Sequence, residues 1–176
     1  LEVHREPAGD PWNSYFASRF AWSDESASLH RAVNQTRQRA TAQRLESPDY
    51  IEIHEGDWRT SILPAGLPFH RRVGDRMLDS LLVVRGESCR TFRLGIGLDL
   101  PQSFAQSMAW MADVPVRFEN AAPPRGNTSS WLFHLNARNV VATSWKPLVE
   151  SGQCVGLVVR LLETSGRPGK VRLEAF

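Results

Sequence analysis

Only two cysteines occur in 176 residues, so one disulfide at most is available, and a chain of this length can bury a sufficient core without it. Cys89 and Cys154 each stand in or at the edge of an apolar run, which predicts two buried free thiols. No stretch approaches the roughly 20 consecutive apolar residues that a membrane span needs, so no membrane partner is expected. Charge of one sign is also lacking. The 21 Lys and Arg face 19 Asp and Glu for a net +2, and the basic residues, mostly arginine, are dispersed. Nucleic acid is therefore not an expected partner, because it calls for a concentrated basic face. The five histidines are scattered, with none at metal-ligand spacing, and no metal site is predicted.

Catalytic signatures are sparse as well. No G-x-S-x-G elbow is present for a nucleophilic serine. Gly95 and Gly97 lack the third glycine and following helix of a phosphate loop, and read as close-packing positions in a strand. Paired carboxylates for glycoside hydrolysis converge only in space, and most aspartates here, Asp75 and Asp99 among them, fall at turns where they cap backbone groups.

What is present is the composition of a folded globule, 41% apolar and 23% charged, read as one domain over residues 1–176. The chain opens on Leu1 and closes inside the strand-like "KVRLEAF", which suggests a piece of a longer polypeptide. Asn34 and Asn127 head N-x-S/T tripeptides, a pattern common by chance. Alternating apolar positions predict strands at "YFASRFAW", "DYIEIHE" and "WRTSILP", the last stopped by Pro64. Residues 77–100 read as two strands joined at Arg85-Gly86-Glu87, with Phe92, Leu94 and Ile96 on one face. Residues 155–162 are almost continuously apolar, as in a central strand covered on both faces. One short helix is expected in "DLPQSFAQSMAWM", with Asp99 as its cap and Phe104, Met108 and Met111 on one side. Residues 33–46 read as strand or loop. Many short strands with Gly and Pro turns give an all-β fold, a mostly antiparallel β-sandwich of jelly-roll or supersandwich type with at most one short helix.

The candidate binding residues are of two kinds. Of six tryptophans, Trp22 and Trp131 fit a sandwich core, whereas Trp12 and Trp58 stand in polar turn-like contexts and are candidates for stacking on a sugar ring. "GLPFHRRVGDRMLD" concentrates His70, Arg71, Arg72, Asp75 and Arg76 between two predicted strands, with Gly66 and Gly74 supplying turns. Its arginines are expected to pair with Asp75, Asp79 or another domain, or to sit at the rim of a sugar site.

"GDPWNSYFASRFAWSDESASLHR" and "RTSILPAGLPFHRRVGDRMLDSLLVVRGESCRTFRLGIGLDLP" resemble the C-terminal β region of glycoside hydrolase family 38, the α-mannosidase-like enzymes. "SSWLFHLNARNVVATSWKP" and "VRLLETSGRPGKVRLEAF" are similar to its later part, so the resemblance runs from Gly9 to Phe176. It implies a retaining mannosidase whose zinc and aspartate nucleophile reside in a separate catalytic domain. No metal motif of that family matches a position here, so no catalytic residue is carried over and no cofactor is expected in this chain. The resemblance implies a non-catalytic domain whose partners are that catalytic domain and mannose-containing carbohydrate. A free-standing carbohydrate-binding module and a purely structural interface domain are the alternatives.

Overall fold

A computed structural model describes residues 6–113, 116, 118, 120 and 133–175. Trp131 and the Asn127 tripeptide lie outside them. The chain divides into two compact units, Leu1–Met111 and Ala112–Phe176.

The first unit is a sandwich of two antiparallel sheets. Strands β1 (Phe16–Ala21), β8 (Met77–Val83), β7 (Phe69–Arg72) and β4 (Arg44–Glu46) form one, in the order β1-β8-β7-β4. Strands β3 (Thr36–Arg39), β2 (Ser28–Val33), β5 (Ile51–Glu55), β6 (Trp58–Leu63) and β9 (Gly95–Leu98) form the other, in the order β3-β2-β5-β6-β9. The strand period of two sends alternate side chains inward. Leu29, Ile51, Ile53 and Ile62 from the five-stranded sheet meet Leu45 and Leu78 from the four-stranded one, with Phe20 and Trp22 packed against them. The all-β sandwich reading is thus correct, and "DYIEIHE" and "WRTSILP" form β5 and β6 as expected. Residues 33–46 hold β3 and β4. The β2–β3 turn places Asn34 (φ 49°) and Gln35 (φ 68°) in the left-handed region, the backbone of a two-residue primed hairpin turn.

Two expectations for this unit give way. The Arg85-Gly86-Glu87 turn forms, closed by Glu87 N–H donating to the Val84 carbonyl at 3.1 Å. Residues 87–94 then run without regular structure, and β9 pairs with β6 in the other sheet instead of returning along β8. Gly95 and Gly97 let other groups lie on β9. A Cβ at Gly97 would stand 2.3 Å from Leu100 Cδ1, and one at Gly95 3.3 Å from the Trp110 ring. The helix α1 (Ser103–Met111) starts later than the Asp99 cap implies, because Asp99 Oδ1 instead accepts the Arg59 N–H at 2.8 Å. Phe104 is buried as expected, but Met108 is exposed, and the other buried residues are Ser103 and Ser107. Ser103 donates to Glu52 at 2.6 Å and Ser107 to the Asp49 carbonyl, so hydroxyls and not methionines seat the helix on the outer face of the five-stranded sheet.

In the second unit β10 (Phe133–Leu135) pairs with β13 (Leu173–Ala175), and β11 (Val140–Glu150) with β12 (Gln153–Glu163). The β11–β12 hairpin turns at Ser151 and Gly152, both at positive φ. The expected doubly covered strand is corrected here. Among the described residues β12 pairs with β11 alone, and Val155, Leu157, Val158 and Leu161 are exposed. Cys89 and Cys154 are both free, and both are exposed, which corrects their expected burial. Neither is placed in a packed strand face: Cys89 lies in the irregular stretch after β8 and Cys154 beside the hairpin turn.

Candidate functional site

Strand register builds a charged row across the outer face of the four-stranded sheet. Arg19 on β1 lies opposite Asp79 on β8, Asp79 opposite Arg71 on β7, and Arg71 opposite Arg44 on β4. Arg19 grips the Asp79 carboxylate with two hydrogen bonds, Nε to Oδ1 at 2.6 Å and a terminal nitrogen to Oδ2 at 2.8 Å. Tyr15 adds its hydroxyl to Oδ2 at 2.8 Å. Burial pushes the Asp79 pKa up, but the bonds from Arg19 and Tyr15 outweigh it and hold the carboxyl below its ordinary value. The Tyr15 phenol is shifted the other way, raised by burial and by donating to that carboxylate.

The aromatic half of this face comes from the turn before β1. Trp12 meets Phe69 edge-on, with centroids 5.7 Å apart. Arg71 donates to the Trp12 carbonyl at 2.6 Å and lies 5.9 Å from the centre of the Tyr15 ring, while Arg44 lies 5.4 Å from that of Trp12. Phe69 is 42% exposed at the edge of this cluster. Guanidinium planes beside aromatic edges suit a polyhydroxylated or anionic ligand. Proton transfer is another matter, since every carboxylate oxygen of Asp79 is already committed.

A second buried carboxylate, Glu52, occupies the outer face of the opposite sheet. It accepts from Ser103 at 2.6 Å and pairs with His54 Nε2 at 2.9 Å, with Arg37 and Arg59 nitrogens at 3.7 and 3.9 Å. Burial raises its pKa, yet Ser103, His54 and Arg59 together bring it below the ordinary value. His30 stacks on His54 with centroids 4.3 Å apart. Its own pKa falls through burial first and the neighbouring His54 and Arg37 second. Asp79 and Glu52 are on outward faces of opposite sheets, so they do not converge on one scissile bond as a glycosidase pair must.

The sequence candidates separate. Trp12 and Arg71 come together in the arginine–aromatic face. His70 points the other way, into the inner row Leu45–His70–Ser80, and is fully buried. Carbonyls only accept, so its Nε2, at 3.1 Å from the Ser47 oxygen and 3.2 Å from that of Leu67, carries the proton, and Nδ1 accepts from the Ser80 hydroxyl at 2.9 Å. That ring has no surface to offer a sugar. Arg72 donates to the Asp75 carbonyl in the β7–β8 turn, and Arg76 bonds the Ser23 carbonyl and faces Glu25 at 3.7 Å. Gly66 and Gly74 turn the chain as expected, with φ of 89° and 62°. The expected pairing with Asp79 falls to Arg19, not to a loop arginine.

Trp58 is 72% exposed, at the start of β6. Alternation puts it on the same side as Thr60 and Ile62, whose partners on β9 are Leu98 and Ile96. Ile96 and Leu98 are themselves exposed, and the register partner of Trp58 on β5 is Glu55, so Trp58 stands at a mixed apolar and charged margin of the five-stranded sheet, apart from the arginine–aromatic face. Arg19, Tyr15, Asp79 and Glu52 were not legible as site residues, because only strand register assembles them. Among the described residues no cluster of His, Cys, Asp and Glu forms a metal site.

No family model, no curated protein and no solved structure matches this chain.

Proposed function

We propose that this chain is a non-catalytic β-region of an α-mannosidase-like glycoside hydrolase, which packs against the catalytic domain of the same polypeptide and supports its binding of carbohydrate. The observation that carries this reading is the bare β11–β12 hairpin. Trp145, Leu148, Val149, Val155, Leu157, Val158 and Leu161 are all exposed on it, and alternation puts Leu157 and Val158 on opposite faces. A ribbon apolar on both faces is stable in water only when covered. The exposed Trp58–Ile96–Leu98 strip of the first unit has the same character. Residue patterns similar to family 38 at Gly9 to Phe176 supply the identity of the covering domain, and any zinc belongs to that domain.

The test is hydrolysis of an aryl α-mannoside. The isolated chain is expected to turn over none, with or without zinc, and turnover by the pure chain overturns the reading. A free-standing carbohydrate-binding module is the second reading, favoured by the Trp12–Phe69–Arg44–Arg71 face. It predicts calorimetric binding of mannose-rich glycans that is lost in Phe69→Ala, whereas flat traces across a glycan panel refute it.

A further inference from the structure

The first unit holds a groove unrelated to either surface above. It is an open cleft of about 520 Å³ between the β6–β7 connection, the irregular stretch after β8 and the end of α1. That volume is in the usual small-molecule range of about 300 to 1,000 Å³. Leu67, Phe92, Trp110 and Met111 give it apolar walls, and Glu87 and Arg93 give it two charges.

Three features are organised toward a ligand. The Arg93 guanidinium carbon lies 3.8 Å from the centre of the Trp110 ring, so the indole orients the cation and strips water from one side of it. Among the described residues Arg93 forms no ion pair, which leaves its fork of donors for an anion. The Trp110 indole is seated on β9 by the missing side chain of Gly95, and its buried N–H meets no acceptor among the described residues. Glu87 is committed locally, accepting the Cys89 N–H at 2.7 Å, and its negative charge disfavours a second anionic group. The wall itself is self-braced: Arg90 donates to the Glu87 and Cys89 carbonyls, and the Cys89 thiol donates to the Thr91 carbonyl at 3.1 Å. Ala65, at the opposite rim, holds φ of 50°, a strained backbone for a residue with a Cβ.

We propose that this cleft binds a small molecule with a flat apolar body and a single anionic group, the anion on Arg93 and the body against Phe92, Leu67 and Met111. The proposal is independent of the assignment to a glycoside hydrolase.

Naphthalenesulfonate is a suitable probe, read by the indole N–H resonances of the nitrogen-labelled chain, with that of Trp110 assigned from Trp110→Phe. The Trp110 signal is expected to shift saturably. Arg93→Gln should weaken binding about tenfold, the loss of one charge-assisted contact, and neutral naphthalenemethanol should bind as weakly. A Trp110 signal that stays still at millimolar probe, or moves only with that of Trp145, overturns the proposal, as does full affinity in Arg93→Gln. A readout without a groove substitution uses Cys89 as reporter. In Cys154→Ser, saturating probe should slow iodoacetamide alkylation of Cys89 severalfold, and an unchanged rate also overturns it.

Discussion

The buried His70 ring makes stability depend on pH in a way that can be calculated. Its pKa falls from 6.5 to about 4, chiefly because burial disfavours the charged ring, against weaker opposing help from the Ser47 and Leu67 carbonyls. The sign follows from which state takes the proton. Above the unfolded value both states hold a neutral ring and pH has no effect through it. Between that value and about 4 the unfolded chain binds a proton that the folded chain refuses, so stability falls as pH falls. The slope approaches about 1.4 kcal/mol per pH unit, and the whole window costs about 3 kcal/mol. Below it both states are protonated and the loss is complete. The assay is urea unfolding by tryptophan fluorescence at steps from about pH 7 to about pH 4, on the natural chain and His70→Gln. The natural chain should be the more stable at neutrality, and its margin over the variant should shrink by about 3 kcal/mol at the acid end. A margin that does not change with pH refutes the reasoning. So does a ring carbon resonance of His70 titrating near its ordinary value, a measurement that needs no variant.

Asp79 and Glu52 act at lower pH and with the same sign. Both pKa values are depressed in the fold, so their contribution is present above the ordinary carboxylate range and disappears as pH drops through the folded values. The acid limb should therefore steepen again below the histidine window in urea titrations. Asp79→Asn removes the charge gripped by Arg19 and Tyr15 and is expected to cost about 2 kcal/mol, not more, because Arg19 is half exposed and stays solvated. Urea midpoints of the variant measure it. Gly97→Ala drives a methyl to within 2.3 Å of the Leu100 side chain, whose carbonyl is held by Arg59. Repacking should cost about 1 to 3 kcal/mol, visible as a lower unfolding midpoint, and an unchanged midpoint would show that Leu100 swings clear freely. Ser47→Ala removes a buried hydroxyl that donates to the Tyr50 carbonyl at 2.6 Å and accepts the Ala32 N–H at 3.1 Å, an N–H that keeps only its bond to that same carbonyl. A loss of about 1 to 2 kcal/mol is expected by the same assay.

Period-two alternation made the sandwich legible, because Phe20 and Trp22, and likewise Ile51 and Ile53, stand two apart and turn to one core. It also located β5 and β6 and the stop at Pro64. The pattern failed where a face is not buried within the chain. β12 has the apolar run of a doubly covered strand, yet among the described residues only β11 pairs with it, so its composition reports a cover that those residues do not supply. The run Phe92, Leu94, Ile96 alternates correctly, but alternation carries no information about which neighbour a strand joins, and the switch of β9 to the other sheet was invisible. The site suffered from the same gap. Arg19, Asp79, Arg71 and Arg44 are far apart in sequence and become one row only through three registers. His70 and Arg71 looked like one basic cluster, but adjacent residues of a strand face opposite ways. One became core and the other surface.

The account rests on the claim that the β11–β12 hairpin is made to be covered. Amide hydrogen exchange of the segment Val140–Glu163 tests this most directly, compared between this chain alone and the intact polypeptide that carries the proposed catalytic domain. Free, Trp145 is 58% exposed and Val149 56%, and the hairpin amides should exchange rapidly. In the intact polypeptide the same amides should be protected by at least about tenfold, which corresponds to about 1.4 kcal/mol of added local stability. Equal exchange in the two would contradict the account.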